Sequence, residues 1–246
     1  MKVFNDIGQY TLLLGKILRR PDRGRIFRKQ LLDELFYLGV DSLGIVAIIS
    51  VFIGAVVAMQ TLYNIDSPLI PRYTVGYITR QTIVLEFAPT IISLILAGKV
   101  GSRIAGEIGT MRVTEQIDAL DVMGVNSANY LILPKLTACM LFFPVLVIIS
   151  MFLGVTGGFF VAFTSTDFSV DTYLYGVRSF FIIFEIYYAI IKSLFFAFII
   201  ATVSGHFGYN VRGGALEVGR ASTKAVVQSS IIIILFNVIL TQILLT

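Results

Sequence analysis

LEFAPTIISLILAGKVGSRIAGEIGTMRVTEQIDAL, residues 85–120, passes from a carboxylate inside an apolar run, Glu86, through a row of small residues into a short charged segment with an apolar edge. Ala97, Gly101, Ala105 and Gly109 recur every four residues, so on an α-helix they form one flat stripe where a second helix backbone can approach closely. Small residues in that pattern serve packing, not catalysis. Beyond the stripe, residues 114–120 predict a short amphipathic helix: Val113, Ile117 and Leu120 share one face, charges take the other, and Gly124 stops it. A helix of this kind seeks a groove on another protein.

Hydrophobic residues make up 57% of the 246, far more than a soluble domain of this length exposes or buries. The fold class is therefore all-α integral membrane. Five runs approach the roughly 20 residues that cross a hydrocarbon core of about 30 Å: 44–62, 75–97, 136–163, 180–203 and 225–245. The third contains Pro144 and the cluster Gly154, Gly157 and Gly158, which predict a bend. The second carries Arg80 and Glu86 and becomes continuously apolar only after Ile83.

Cytoplasmic flanks of membrane helices hold the excess of Lys and Arg. An inside N-terminus puts Lys2, Lys16, Arg19, Arg20, Arg23, Arg25, Arg28 and Lys29 on the inner side, then Lys99, Arg103, Arg112 and Lys135, then Arg212, Arg220 and Lys224. The outer loops retain Arg72, Arg80 and Arg178. This asymmetry puts the short helix at 114–120 in the cytoplasm.

Residues 1–34 do not form a secretory signal, because the apolar patch at Leu12, Leu13 and Leu14 is short and basic residues follow it. They read as an N-terminal cytoplasmic or interfacial amphipathic helix, with Leu13, Ile17, Ile26 and Phe27 in the headgroup zone and residues 19–29 against anionic lipid.

The formal charge of +4 thus reflects topology, and its basic residues lack the aromatic interleaving of a nucleic-acid surface. Cys139 and His206 are single, which excludes an intrachain disulfide and leaves no His-rich metal site. Residues 214–221 read G-x-x-x-x-G-R-A and imitate a phosphate loop, but Arg220 replaces the lysine and Ala221 the Mg²⁺-binding hydroxyl. No strand pattern precedes them, so any ATP is hydrolysed by another polypeptide.

Charges within the spans are the sharper signal, since each costs roughly 2.5–3.5 kcal/mol at a helix centre without a partner or a wet lining. Lys192 lies midway along the fourth span, where snorkelling is hard, and Glu86 stands three residues before Pro89. Pro89 has no N–H for the Leu85 carbonyl, which predicts a kink and a polar notch beside the carboxylate. The two charges either pair or line a cavity for an amphiphile's polar head. Glu185 reads as a rim residue near the outer boundary.

Residues 86–135, EFAPTIISLILAGKVGSRIAGEIGTMRVTEQIDALDVMGVNSANYLILPK, closely resemble the signature region of the MlaE family of ABC transporter permeases. The resemblance continues in VFIGAVVAMQ (51–60), IIKSLFFAF (190–198) and GGALEVGRASTKAVVQSS (213–230). It makes residues 35–246 an MlaE-like permease domain with five transmembrane helices and a cytoplasmic coupling helix between the second and third. The outer loop at 63–73, with Pro68 and Pro71, departs from the family pattern, as does Glu217 where relatives often have glycine.

The resemblance implies a permease subunit in a bacterial inner membrane that moves phospholipid between inner and outer membranes and maintains outer-membrane lipid asymmetry. It implies a homodimer, two copies of a cytoplasmic ABC ATPase and a periplasmic MCE-domain protein. Position by position, the family's coupling helix falls on Glu115, Gln116, Ile117, Asp118 and Leu120, and its lipid pocket on Glu86, Lys192 and Val57. The chain binds no cofactor of its own, with ATP and Mg²⁺ on the partner ATPase. The alternative is an ATPase-independent secondary lipid transporter or flippase with Glu86 as its titrating group.

Overall fold

The computed structural model describes residues 2–19, 24–65, 70–165 and 168–245. Arg20, Arg23 and Pro68, named above in a basic flank and an outer loop, lie outside the described residues. Every regular element among those described is a helix: α1 (Lys2–Ile17), α2 (Gly24–Asn64), α3 (Thr74–Val113), α4 (Gln116–Val122), α5 (Ser127–Thr164), α6 (Val170–Arg178), α7 (Ile183–Tyr209) and α8 (Ala215–Leu245). Five of them, α2, α3, α5, α7 and α8, are long and apolar enough to cross a membrane. Each extends past the apolar run that marks it in the sequence, because charged and polar turns continue the helix at one or both ends.

The chain folds into two compact units. In the unit built from residues 1–42, 94–143 and 194–246, the small-residue stripe of α3 does what its spacing predicts. A β-carbon on Gly101 would lie 2.9 Å from Ser204 Oγ, one on Gly208 2.8 Å from the Ala105 carbonyl, and one on Gly109 3.1 Å from Val218 Cγ1. The backbone of α3 therefore meets α7 and the first turn of α8 at a separation only small side chains permit.

Helix α1 is tied into the same unit at its C-terminal end. Asn129 Nδ2 donates to the carbonyls of Ile17 (2.7 Å) and Arg19 (2.6 Å), and Asn126 Nδ2 to that of Lys16 (3.0 Å), satisfying acceptors that a helix terminus leaves open. Leu13 and Ile17 are buried in the protein, whereas Leu12 is exposed. The expectation that Leu13 and Ile17 lie in the headgroup zone is thus corrected: they seat α1 on the bundle. Lys135, read as a flank cation, is also buried, held between the carboxylates of Glu34 and Glu107, the latter at 2.8 Å.

In the unit built from residues 43–93 and 144–193, glycines again set the spacing. A β-carbon on Gly54 would lie 1.8 Å from the Gly154 carbonyl oxygen, and one on Gly157 2.1 Å from that of Val51. Ser50 Oγ donates to Ser150 Oγ at 2.8 Å beside this contact. Gly154 and Gly157 of α5 are thus spent on backbone approach to α2, Gly158 makes room for the Tyr173 ring, and α5 runs unbroken through Pro144 and all three of them.

Helix α6 has no counterpart in the sequence reading, because nine residues are too few to show an apolar run. It starts at Ser169, whose side chain accepts from the Thr172 N–H. Its Gly176 would place a β-carbon 1.9 Å from the Tyr73 carbonyl, locking it on the start of α3. Tyr173 packs with Val75, Ala162 and Phe168, donates to the Val155 carbonyl (2.8 Å), and has its hydroxyl pKa pushed up by burial.

Candidate functional site

Glu86 and Lys192 meet. Lys192 Nζ on α7 lies 2.9 Å from Glu86 Oε1 on α3 and 3.4 Å from the Leu85 carbonyl oxygen. The ammonium also stands 4.4 Å from the centre of the Tyr188 ring, a cation–π contact, while the Tyr188 hydroxyl reaches Glu86 Oε1 at 3.4 Å. Thr90 Oγ1 donates to the other carboxylate oxygen at 3.2 Å.

The local sequence explains the geometry. Around Pro89 the helix widens into π-type turns over Ile83–Ile91, and Pro89 has no N–H for the Leu85 carbonyl. That carbonyl is the one the lysine approaches. The predicted notch is therefore present as a widened turn filled by a cation.

Burial is unequal across the pair: the Lys192 side chain is 0% exposed and that of Glu86 41%. The ion pair is closed on its cationic side and open on its anionic side. Val57 is buried in α2 in the same unit, and the pair's hydrogen bonds run to Leu85, Tyr188 and Thr90.

Glu185 is corrected from rim residue to buried partner. Its Oε2 lies 3.6 Å from Arg80 Nη2, with both side chains almost fully enclosed. Arg80 also donates to three carbonyls, Val177 (2.9 Å), Ser179 (3.0 Å) and Phe180 (3.2 Å), where α6 ends and the chain turns through Phe180 at φ 52°. Its guanidinium fork thus organises the entry into α7.

The predicted amphipathic helix forms as α4, displaced by two residues. Glu115 turns the chain at φ 60°, so Val113 ends α3 and does not share a face with Ile117 and Leu120. Ile117 is fully buried, and Glu115, Gln116 and Asp118 are exposed. The helix closes as foreseen at Gly124 (φ 74°): its N–H bonds the Asp121 carbonyl (3.0 Å), and that of Val125 the Leu120 carbonyl (3.1 Å).

Side chains brace α4 within its unit. Arg112 Nη1 donates to Asp118 Oδ1 (2.7 Å), and Ser127 Oγ to Asp121 Oδ1 (2.6 Å) while meeting the Tyr209 hydroxyl (2.8 Å). Val122 and Met123 are 89% and 67% exposed, an apolar tip beyond the predicted segment. Side-chain bonds thus tie α4 to α3 and α5, and through Ser127 to α7.

Two partners of the ion pair were not singled out in the sequence, though both carried a signal. Thr90 follows Glu86 by four residues and Tyr188 precedes Lys192 by four, the spacing that puts helical side chains side by side. The Arg80–Glu185 pair, about a hundred positions apart, carried none.

Residues 31–243 match the family model described as Permease MlaE. A probable ABC transporter permease protein of Rickettsia bellii is 34% identical over 98% of this chain and 93% of its own. A like-named protein of Synechocystis is 34% identical over 92% of this chain and 85% of its own. The chloroplastic protein TRIGALACTOSYLDIACYLGLYCEROL 1 of Arabidopsis thaliana is 30% identical over 94% of this chain and 66% of its own.

Proposed function

The chain belongs to the MlaE permease family, and from that premise we propose that it is the membrane subunit of an ATP-driven phospholipid transporter. It is a multi-pass ABC transporter permease, so ATP hydrolysis falls to a partner subunit. The lipid, the route between inner and outer membranes and the role in outer-membrane asymmetry are the proposal.

The observation that carries it is the half-open ion pair. In an empty site Glu86 neutralises Lys192, which would otherwise be a bare ammonium at membrane depth. A phospholipid phosphate is a membrane anion that can replace the carboxylate on that ammonium while its acyl chains stay in an apolar setting. Val57 belongs to that acyl lining. Exchange of Glu86 for phosphate gives the site two states of different lipid affinity, which a transport cycle requires.

Helix α4 supplies the link to the motor. Exposed Glu115, Gln116 and Asp118, with Leu120, dock in the ATPase, buried Ile117 anchors the helix on its own bundle, and the bracing through Arg112 and Ser127 passes the motor's closure to α3, which carries Glu86. The N-terminus is cytoplasmic and the membrane is the bacterial inner membrane. A second copy packs on the exposed apolar side chains of α8 beyond its first turns, such as Ile231, Ile234 and Val238, and an MCE-domain protein receives lipid on the periplasmic side. The gradient-driven alternative lacks support in an ABC permease, whose energy comes from its ATPase.

The test is lipid transfer from vesicles holding the complex purified through this chain, with co-purified proteins and lipids identified by mass spectrometry. ATP-dependent transfer that is lost in Glu86→Ala and Lys192→Ala supports the reading. Transfer at parent rate in both variants, or a chain that purifies without an ATPase, overturns it.

A further inference from the structure

Where α7 gives way to α8, two hollows adjoin. One, about 310 Å³, is lined among others by Gln9, His206, Arg212, Glu217, Arg220 and Lys224. The other, about 480 Å³, is lined among others by Phe207 and Val227. Phe207, Arg220 and Lys224 border both, so a polar basin adjoins an apolar one across shared side chains.

The basin is cationic. Arg212, Arg220 and Lys224 line it against a single carboxylate, Glu217, whose Oε1 accepts from Arg220 Nη1 at 2.5 Å. Its wall is built by α1: the Tyr10 ring meets that of His206 edge to face at 5.5 Å, and the Tyr10 hydroxyl pairs with Thr202 Oγ1 at 2.8 Å. His206 in turn lies 3.1 Å from Asn210 Nδ2 through Nδ1. The walls are fixed by ring packing and hydrogen bonds, while the three cations reach outward.

The register along α8 specifies the depth. Lys224 is the last charge on that helix, and everything from Ala225 to its end is uncharged. The cations therefore ring the point where a spanning helix leaves the headgroup layer, on the side that the Lys and Arg asymmetry assigns to the cytoplasm. Basic pockets between spanning helices at that level suit anionic lipid heads. A free anion would satisfy the basin alone, whereas an anionic amphiphile fills both hollows.

We propose that this junction binds an anionic phospholipid of the inner leaflet, its phosphate among Arg212, Arg220 and Lys224 and an acyl chain along Phe207 and Val227. The site shares no residue with the Glu86–Lys192 pair and does not rest on the transport reading. Glu217 acts as its resident counter-ion, holding Arg220 until a phosphate displaces it.

Native mass spectrometry of the full-length chain in detergent tests the site, with phosphatidylglycerol titrated against phosphatidylcholine of the same acyl chains. The expected result is preferential retention of phosphatidylglycerol, weakened on the order of tenfold in Arg212→Gln/Lys224→Gln. Glu217→Gln should strengthen it, and Arg178→Gln, which removes a cation elsewhere, should leave it as it was. Arg212 and Lys224 are exposed, so the double variant folds, and circular dichroism checks this. Equal retention of the two lipids, an unchanged affinity in the double variant, or weaker binding in Glu217→Gln would overturn the proposal. Displacement of the lipid by millimolar inorganic phosphate would reduce the basin to a simple anion site and overturn it too.

Discussion

Lys192 Nζ stands 3.4 Å from the carbonyl oxygen of Leu85, the acceptor for which Pro89 has no helical N–H. A proline in one spanning helix thus prepares the seat of a lysine from another. The same widened turn presents Glu86 at 2.9 Å, so one local irregularity supplies two of the contacts that make a buried ammonium tolerable.

Removing one charge of the pair should differ sharply from removing both. Glu86→Ala leaves an enclosed ammonium unpaired and should destabilise the protein by roughly 3–5 kcal/mol, while Glu86→Gln/Lys192→Met should recover most of that loss. Thermal unfolding in detergent reads the stability. Lipid transfer should stay absent in both, which separates a role in transport from a role in folding.

Gly54 should tolerate no side chain. A β-carbon there would overlap the Gly154 carbonyl at 1.8 Å, so Gly54→Ala must push α2 from α5 and should cost about 1–3 kcal/mol or more. Gly98→Ala is the control, with nothing within 4 Å of its β-carbon. The yield of monodisperse protein and its unfolding temperature should fall only for Gly54→Ala.

Arg80→Lys should fail to replace arginine. Three carbonyls and the Glu185 carboxylate surround a planar fork, and an ammonium on a flexible stem cannot reach them all. A loss of about 2–4 kcal/mol is expected from the unsatisfied buried acceptors, with Arg80→Met worse because Glu185 is then left alone. Unfolding temperatures of the two variants decide the order.

The apolar tip of α4 should be separable from its anchor. Val122→Asp changes an exposed side chain and should leave unfolding untouched while releasing the partner ATPase on purification. Ile117→Ala empties a fully buried site and should cost about 2–5 kcal/mol. If Val122→Asp retains the ATPase at parent stoichiometry, the tip lies outside the docking surface.

Much of this was legible along the chain. Each of the five long helices announces itself as an apolar run, because lipid demands a continuous stretch of residues that satisfies its own backbone. The four-residue spacing of Ala97, Gly101, Ala105 and Gly109 announced a close helix contact, and Gly124 announced a helix stop, because both follow from geometry repeated within one helix. The resemblance carried by residues 86–135 identified the family.

What the chain could not state was which distant residues meet. That Glu185 is buried on Arg80, that Leu13 and Ile17 face protein, that Lys135 lies between Glu34 and Glu107, and that Gly154 serves α2 all depend on helix neighbours about a hundred or more positions away in most cases. A nine-residue α6 stayed invisible for the same reason, being held by contacts with α3 and α5 and not by its own composition. Sequence alone determined the membrane helices, since solvation by lipid acts on each segment separately; only the tertiary structure decided the pairing of buried charges, since an ion pair's stability lies in the distance between residues that the chain keeps far apart.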